Sequence, residues 1–280
     1  MEQRSAASPG SPDRTAVVTG GGGGIGGAVS RRLARDGLRV ILVDVDAEGA
    51  AGTAERIRGE GGSALALVGD ITRDETVEQL GALIDGETAD GIEVLVNNVG
   101  DFRPARAVFH KSSPDQWEAL HRINLHHVFA VSHLVIPAMI ARGDGAIVNV
   151  STVEAFRGIP GNAVYSAYKA GVSAFTKSLA VELGPSGIRV NAIAPDLTDT
   201  AQTPADAMLE GRDPALVRSW VPLGRFGSPD DHAEVVSFLA SDAARFVTGH
   251  TIPVDGGTLA ASGWYGRTAT RGWTNRPDGA

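Results

Sequence analysis

The chain has no cysteine in its 280 residues. That removes disulfide staples, thiol nucleophiles and cysteine metal sites from consideration. Positive charge is also in short supply: 25 Lys and Arg face 33 Asp and Glu, a formal net charge of -8. Nucleic acid and anionic membrane surfaces are therefore poor partners. No apolar run looks long enough to span a bilayer. Residues 1–13 are rich in Ser, Pro and Ala and lack the apolar core of a signal peptide. They read as a flexible leader on a cytoplasmic protein. Hydrophobic content of 42% suits a chain that buries a sizeable core.

What is present is a rhythm. Short, continuously apolar runs at 16–19, 40–44, 64–68, 94–97, 146–150, 189–193 and 251–254 read as strands buried on both faces. Helix-length stretches lie between them, the clearest at 26–36, 74–84, 114–141, 163–183 and 229–241. Repeated β-α units imply an α/β domain with a parallel sheet, right-handed crossovers and helices on both faces. One domain is expected over residues 14–257. Residues 198–227 break the rhythm with Pro204, Pro214 and Pro222. Ligands of such sheets bind at the carboxyl ends of strands, so this insertion is a candidate substrate lid. The tail, 258–280, carries Trp264, Tyr265 and Trp273 and is expected to pack on something.

Straight after the first strand the chain reads Thr19-Gly20-Gly21-Gly22-Gly23-Gly24-Ile25-Gly26-Gly27. Glycines let the backbone turn sharply and approach a pyrophosphate at a helix N-terminus. Three registers fit: Gly21/Gly23/Gly26, Gly22/Gly24/Gly27 and Gly20/Gly24/Gly26. The downstream residues favour the last. Asp44 ends the second strand, about twenty residues on. A carboxylate there accepts from adenosine ribose hydroxyls and repels a 2′-phosphate, which favours NAD over NADP. Asp70 and Ile71, after the third strand, are candidates for flanking the adenine.

Tyr165 and Lys169 are four apart on a predicted helix and share a face. An ammonium beside a phenol favours the phenolate and is expected to lower its pKa, making Tyr165 a proton carrier near neutral pH. Asn124 lies inside the long helix, where an Asn is unfavourable unless its amide has a task. Ser151 and Thr152 end the fifth strand, and a hydroxyl there could hold a carbonyl near Tyr165.

These residues together resemble the short-chain dehydrogenases/reductases, in the single-domain group of about 250 residues. The resemblance runs from about Thr15 to Gly257 and rests on Thr19-Gly20-x-x-x-Gly24-Ile25-Gly26, Asn97-Asn98-Val99-Gly100, Asn124, the hydroxyls at 151–152, Tyr165-x-x-x-Lys169, Arg189-Val190-Asn191-Ala192 and Val254-Asp255-Gly256-Gly257. It implies a doubly wound Rossmann-type sheet of about seven strands in the order 3-2-1-4-5-6-7. It implies an alcohol/ketone oxidoreductase with Tyr165 as acid/base. Lys169 would bind the nicotinamide ribose, and Asn124 would hold a water of the proton relay. The family's serine stands thirteen residues before the tyrosine, which selects Thr152, with Ser151 the alternative. Gly20, Gly24, Ile25, Gly26, Asn98, Gly100, Pro195, Thr198 and Thr200 would line the cofactor. No metal is implied. A homotetramer built on the long helices is expected. The departures are Val99 for the usual Ala and Asp196 for the usual Gly after Pro195. An NADPH-preferring ketoreductase and a non-catalytic cofactor-binding sensor are the competing readings. Phe102, Glu154, Phe156 and Trp220 are candidates for the pocket wall.

Overall fold

The structure, a computed structural model, describes residues 14–88 and 91–261, Gly263, and the backbone at 265–266 and 273–274. Its strands are β1 (Thr15–Thr19), β2 (Arg39–Asp44), β3 (Ala64–Val68), β4 (Val94–Asn97), β5 (Gly145–Val150), β6 (Ile188–Pro195) and β7 (Thr251–Val254). They form one parallel sheet in the order β3-β2-β1-β4-β5-β6-β7. The helices are α1 (Gly24–Arg35), α2 (Ala47–Gly59), α3 (Asp74–Glu87), α4 (Pro114–His121), α5 (His127–Arg142), α6 (Ala163–Leu183), α7 (Ala205–Leu209), α8 (Val217–Trp220) and α9 (Pro229–Ala240).

Strands β1, β4 and β5 are buried along their whole length, as continuous apolar runs with helices on both faces require. One core layer joins Val18, Val40, Leu42 and Val148 to Val29 and Leu33 of α1 and Val236 and Leu239 of α9. The opposite layer joins Ile41, Leu95 and Ile147 to Leu80, Val135, Met139 and Leu179. The strands at the two edges depart from the expectation of two-sided burial. In β3, Ala66 and Val68 are exposed, and β7 has no fully buried residue. Both are edge strands with only one neighbour in the sheet. Apolarity alone did not separate edge from centre.

Helix α2 escaped the sequence reading. Its Ala-Glu-Gly-Ala-Ala-Gly run dilutes the apolar stripe with glycine, which is also a weak helix former. Asp46 starts it by accepting from the Glu48 N–H at 3.2 Å. The expected helix at 114–141 is α4 and α5 joined by a π-helical turn, Arg122–His126. A capping box between Ser113 and Gln116 starts α4, and Gly143, at φ 70°, ends α5. The composite span Pro114–Arg142 corrects one expectation: by length and composition it is apolar enough to cross a membrane. In the fold its Val128, Val131, Val135 and Met139 are buried against the sheet, while Phe129 and Ile140 are exposed. In the tail, β8 (Tyr265–Gly266) pairs antiparallel with β9 (Trp273–Thr274) and lies against α8 of the same chain. Trp264 falls outside the described residues.

Candidate active site

The sheet is parallel, so the strand ends Thr19, Asp44, Asn97, Val150 and Pro195 come out on one edge of it. The glycine run resolves its own register. Within it only Gly20 (φ 66°) and Gly24 (φ 51°) take left-handed backbone, where a Cβ is strained. Helix α1 starts at Gly24. At Gly26 a Cβ would stand 2.5 Å from Asn98 Nδ2 and closer still to the Gly20 carbonyl. Gly21 and Gly22 are also close-packed, a Cβ there meeting Leu42 Cβ at 2.6 Å and the Ala50 N at 2.8 Å. Gly23 meets nothing within 4 Å and Gly27 nothing nearer than 3.4 Å, so Gly20/Gly24/Gly26 is the one of the three registers constrained at every member. Ile25 is half-buried against the core beside it.

Asp44 lies under this turn. Its Oδ2 accepts from the Gly22 N–H at 2.8 Å and its Oδ1 from the Asp46 N–H at 3.0 Å. Asp46 places a second carboxylate at the same strand end. Thr53 braces the loop from α2 by donating to the Gly22 carbonyl at 2.8 Å. Asp70 accepts from the N–H and hydroxyl of Thr72 at 3.0 and 2.7 Å, a local turn that leaves its second oxygen toward Arg73, 3.7 Å away. Ile71 is buried in the core next to it.

The β4 turn ties the two halves together. The Asn98 amide donates to the Thr19 and Gly20 carbonyls at 3.0 and 3.3 Å, while the Asn98 N–H donates to the Thr19 hydroxyl at 3.0 Å. Asn98 is therefore a strut between strand ends. Gly100 leaves room for two side chains that border it. A Cβ there would lie 2.6 Å from Lys169 Nζ and 3.1 Å from Asn124 Oδ1. Asn124, buried in the π turn, donates to the carbonyls of Asp101 (2.8 Å) and Leu120 (3.0 Å) and accepts from the Asp101 N–H (3.0 Å). Its amide is fully engaged, so a water-holding role falls to its main-chain carbonyl.

On the β5 side the two hydroxyls separate. Ser151 points into the core, donating to the Lys169 carbonyl at 3.0 Å and meeting Ser173 Oγ at 2.9 Å. Thr152 hydrogen-bonds the Tyr165 side chain, donates to the Pro195 carbonyl at 3.3 Å and accepts from the Glu154 N–H at 3.3 Å. The structure therefore puts Thr152, not Ser151, beside the phenol. Thr200, in the segment 198–227, comes within 3.9 Å of the point a Gly24 Cβ would occupy. Thr198 is buried and committed to the Asp196 carbonyl (2.9 Å) and His232 Nε2 (2.8 Å). Phe102 meets Tyr165 edge-on with centroids 6.1 Å apart. Phe156 and Trp220 are more exposed.

One expectation is overturned. The Tyr165 phenol is held above its ordinary range rather than below it. Burial is the main cause, and the charges of Glu154 and Asp101 add to it, while the Thr152 hydrogen bond opposes. Lys169 does not cancel this. Its ammonium donates to the Val150 carbonyl at 2.9 Å and stands 6.0 Å from the ring centroid. Burial also pushes Lys169 down to about 8. Sequence spacing gave the shared helix face but not the desolvation.

Several residues escaped the sequence reading. His127 is buried behind Lys169, with Nε2 3.1 Å from the Val99 and Ile123 carbonyls. Burial, with help from the Lys169 charge, pushes it down to about 3. Arg157 pairs with Asp196 at 2.7 Å, and Thr258 donates to the same carboxylate. The unusual Asp196 is thereby tied to the β5 loop and to the turn after β7. Gln202, in the segment 198–227, donates to the Gly100 carbonyl at 3.3 Å. None of these contacts has a local sequence signature.

A family model described as Enoyl-(Acyl carrier protein) reductase matches residues 20–258. The chain belongs to the short-chain dehydrogenase/reductase family. A 3-oxoacyl-[acyl-carrier-protein] reductase of Thermotoga maritima is 39% identical over 247 residues, 88% of this chain and 98% of that protein. A cis-4-hydroxycyclohexanecarboxylate dehydrogenase of Sinomonas cyclohexanicum is 41% identical over 253 residues, 89% of this chain and 97% of that one. A solved structure provisionally assigned as an NAD(P)-dependent gluconate 5-dehydrogenase of Beutenbergia cavernae, with NADP at low occupancy, superposes with a TM-score of 0.80. It is 37% identical and covers 90% of this chain and 98% of that one. The family makes this chain an oxidoreductase of the NAD(P)-dependent type.

Proposed function

We propose that the chain is an NAD-preferring dehydrogenase that interconverts a secondary alcohol and its ketone. The observation that carries this is the placement of Thr152 beside Tyr165, with Lys169 and Asn124 both bordering Gly100, next to a glycine turn that needs its glycines. A bound nicotinamide supplies the hydride acceptor at C4 and, when oxidised, a positive charge. The dinucleotide fits the residues present: left-handed Gly20 and Gly24 open the turn, and Asp44 and Asp46 close the far end with negative charge. No lysine or arginine follows Asp44 in the β2–α2 connection, so a 2′-phosphate meets repulsion and no counter-charge.

In oxidation the carbinol carbon loses a hydride and its hydroxyl loses a proton, giving ketone, NADH and H⁺. Thr152 and Tyr165 hold the carbinol oxygen, and Tyr165, a neutral phenol, takes the proton as it passes its own onward. Lys169 and the Asn124 carbonyl lead it out past Gly100. In reduction the same groups run backwards, and a phenol held in its protonated form is suited to donate. The name of the Thermotoga maritima relative keeps ketone reduction as the second reading. Two features lie further out. The Phe129–Phe175 pair on α5 and α6, 4.7 Å apart with Phe129 exposed, supports a homotetramer joined through these helices. A cytoplasmic site of action goes with a dinucleotide-using enzyme.

The test is a spectrophotometric screen of secondary alcohols with NAD and NADP, run on the wild type, Tyr165→Phe and Asp44→Ala. NAD is expected to give the higher kcat/KM. Tyr165→Phe should lose about 10²-fold or more in kcat while still binding cofactor, and Asp44→Ala should narrow the gap between cofactors. Near-normal turnover in Tyr165→Phe, or an unmodified protein faster with NADP, would overturn the assignment concerned.

A further inference from the structure

Three arginines stand around the mouth of the Tyr165 cleft, and their partners differ. Arg103 is bound to Asp101 through its Nε, at 2.9 and 2.8 Å, and through Nη2 at 2.5 Å. That contact overrides the effect of burial and keeps Asp101 below the ordinary carboxylate range. Arg157 is bound to the nearly buried Asp196 at 2.7 Å. Arg106 is exposed, and no carboxylate among the described residues lies within ion-pair distance of it. Its guanidinium instead sits over the Phe102 ring, 5.9 Å from the centroid. The same ring meets Tyr165 edge-on at 6.1 Å. Cation, aromatic ring and phenol thus follow one another across the cleft.

Glu154 stands on the other side of Tyr165. It accepts from Asn162 Nδ2 at 3.3 Å, and its charge acts on both Tyr165 and Arg106. Burial raises its pKa. The buried Oδ1 of Asn162 beside it has no partner. One end of the site therefore offers hydrogen-bonding groups, the Glu154 carboxyl and the Asn162 amide, near the proton carrier. The other offers a stacked guanidinium whose fork is unmatched.

Resting on the function proposed above, we infer that the substrate is a hydroxy acid whose carboxylate reaches past Phe102 to Arg106. Arg106 holds that carboxylate and sets the specificity. Stacking on Phe102 pre-orients the guanidinium plane, and a planar fork matches a carboxylate bidentately. Phe102 then forms the apolar wall along which the ring or chain between the two groups lies. A neutral alcohol of the same shape makes the Thr152 and Tyr165 contacts but leaves Arg106 unmatched.

The experiment compares cis-4-hydroxycyclohexanecarboxylate with its methyl ester as substrates of the intact protein with NAD. Wild type, Arg106→Ala and Arg106→Lys are measured at low and high NaCl. The wild type should favour the acid over the ester by roughly 10-fold or more in kcat/KM, mostly through KM, as expected for a hydrogen-bonded charge pair. Arg106→Ala should bring the ratio to about one, and Arg106→Lys should keep part of it, because a point charge replaces the fork. Salt should lower the wild-type ratio, because the guanidinium is exposed. A wild-type ratio at or below one, or a ratio that survives Arg106→Ala, overturns the inference. So does failure of both compounds while neutral secondary alcohols are oxidised, which leaves the dehydrogenase reading intact. Failure of every alcohol with either cofactor sinks the dehydrogenase reading itself.

Discussion

Gly26→Ala is the sharpest single perturbation of the cofactor turn, and Gly23→Ala is its control. At Gly26 the added methyl would sit 2.5 Å from Asn98 Nδ2 and nearer still to the Gly20 carbonyl. Backbone cannot yield as a flexible side-chain tip does. The loop must open, or Asn98 must give up its bonds to Thr19 and Gly20 at 3.0 and 3.3 Å. Overpacking costs about 1–3 kcal/mol, and each lost hydrogen bond adds about 1 kcal/mol. Alanine returns about 1 kcal/mol of helix propensity. The net is about 2–4 kcal/mol, concentrated on the turn that would meet the pyrophosphate. At Gly23 no atom stands within 4 Å of the new Cβ, and φ is -159°, extended backbone open to any residue.

The assay pairs thermal melting with NAD titration by calorimetry. At roughly 2–4 °C per kcal/mol for a chain of this size, Gly26→Ala should lower Tm by about 5–15 °C. If half of the strain is relieved only in the unbound loop, NAD affinity falls about tenfold or more. Gly23→Ala should stay within about 0.5 kcal/mol of wild type. The reasoning is refuted if Gly26→Ala melts and binds NAD like the wild type. It is refuted equally if Gly23→Ala is the damaging change, since the register would then be Gly21/Gly23/Gly26.

Two further outcomes follow from the site. Thr152→Val removes the hydroxyl beside Tyr165 and should lower kcat by about 10²-fold, with Thr152→Ser retaining activity. Ser151→Ala should cost stability instead, and steady-state kinetics with melting curves separates the two. Buried His127 and His232 are held down at about 3 and about 4, chiefly by burial. An unfolded chain takes up these protons near pH 6.5, so stability should fall as pH drops from about 6.5 toward 4, by several kcal/mol on linkage grounds. His127→Gln should flatten that slope in denaturant titrations across the pH range, and an unchanged slope removes His127 as a contributor.

The fold was legible wherever one signal repeated. Continuous apolar runs gave the sheet because β1, β4 and β5 are covered on both faces. The same signal misled at β3 and β7, since an edge position is a property of neighbours and not of the strand itself. Helix α2 was lost because Gly49 and Gly52 interrupt its pattern, although Asp46 capped it in plain view. The proton-handling residues were legible because their spacing is local: four residues on a helix face, thirteen between Thr152 and Tyr165. What spacing could not convey is desolvation. Tyr165 and Lys169 share a face as expected, yet burial shifts each toward its neutral form. The pairing of Arg103 and Arg157 with Asp101 and Asp196, and the isolation of Arg106, depend on loops folding together. No window of sequence contains that information.

The opposite shifts of Tyr165 and Lys169 constrain how protons move. Both groups are buried, and both are neutralised by burial, so neither is held as a standing charge. A neutral phenol can take the carbinol proton only as it gives up its own, so Tyr165 acts as a relay and not as a resting place. It must pass onward. Lys169 Nζ and Asn124 Oδ1 both border position 100, where a Cβ would stand 2.6 and 3.1 Å from them. His127 offers no alternative route, because its ring is neutral at working pH and its Nε2 faces two carbonyls. The gap at Gly100 is thus the exit the chain provides, and it is framed by the β4 turn, the π turn of Asn124 and helix α6. The turn of the long helix that departs from α geometry is also the one that aims Asn124 at that gap.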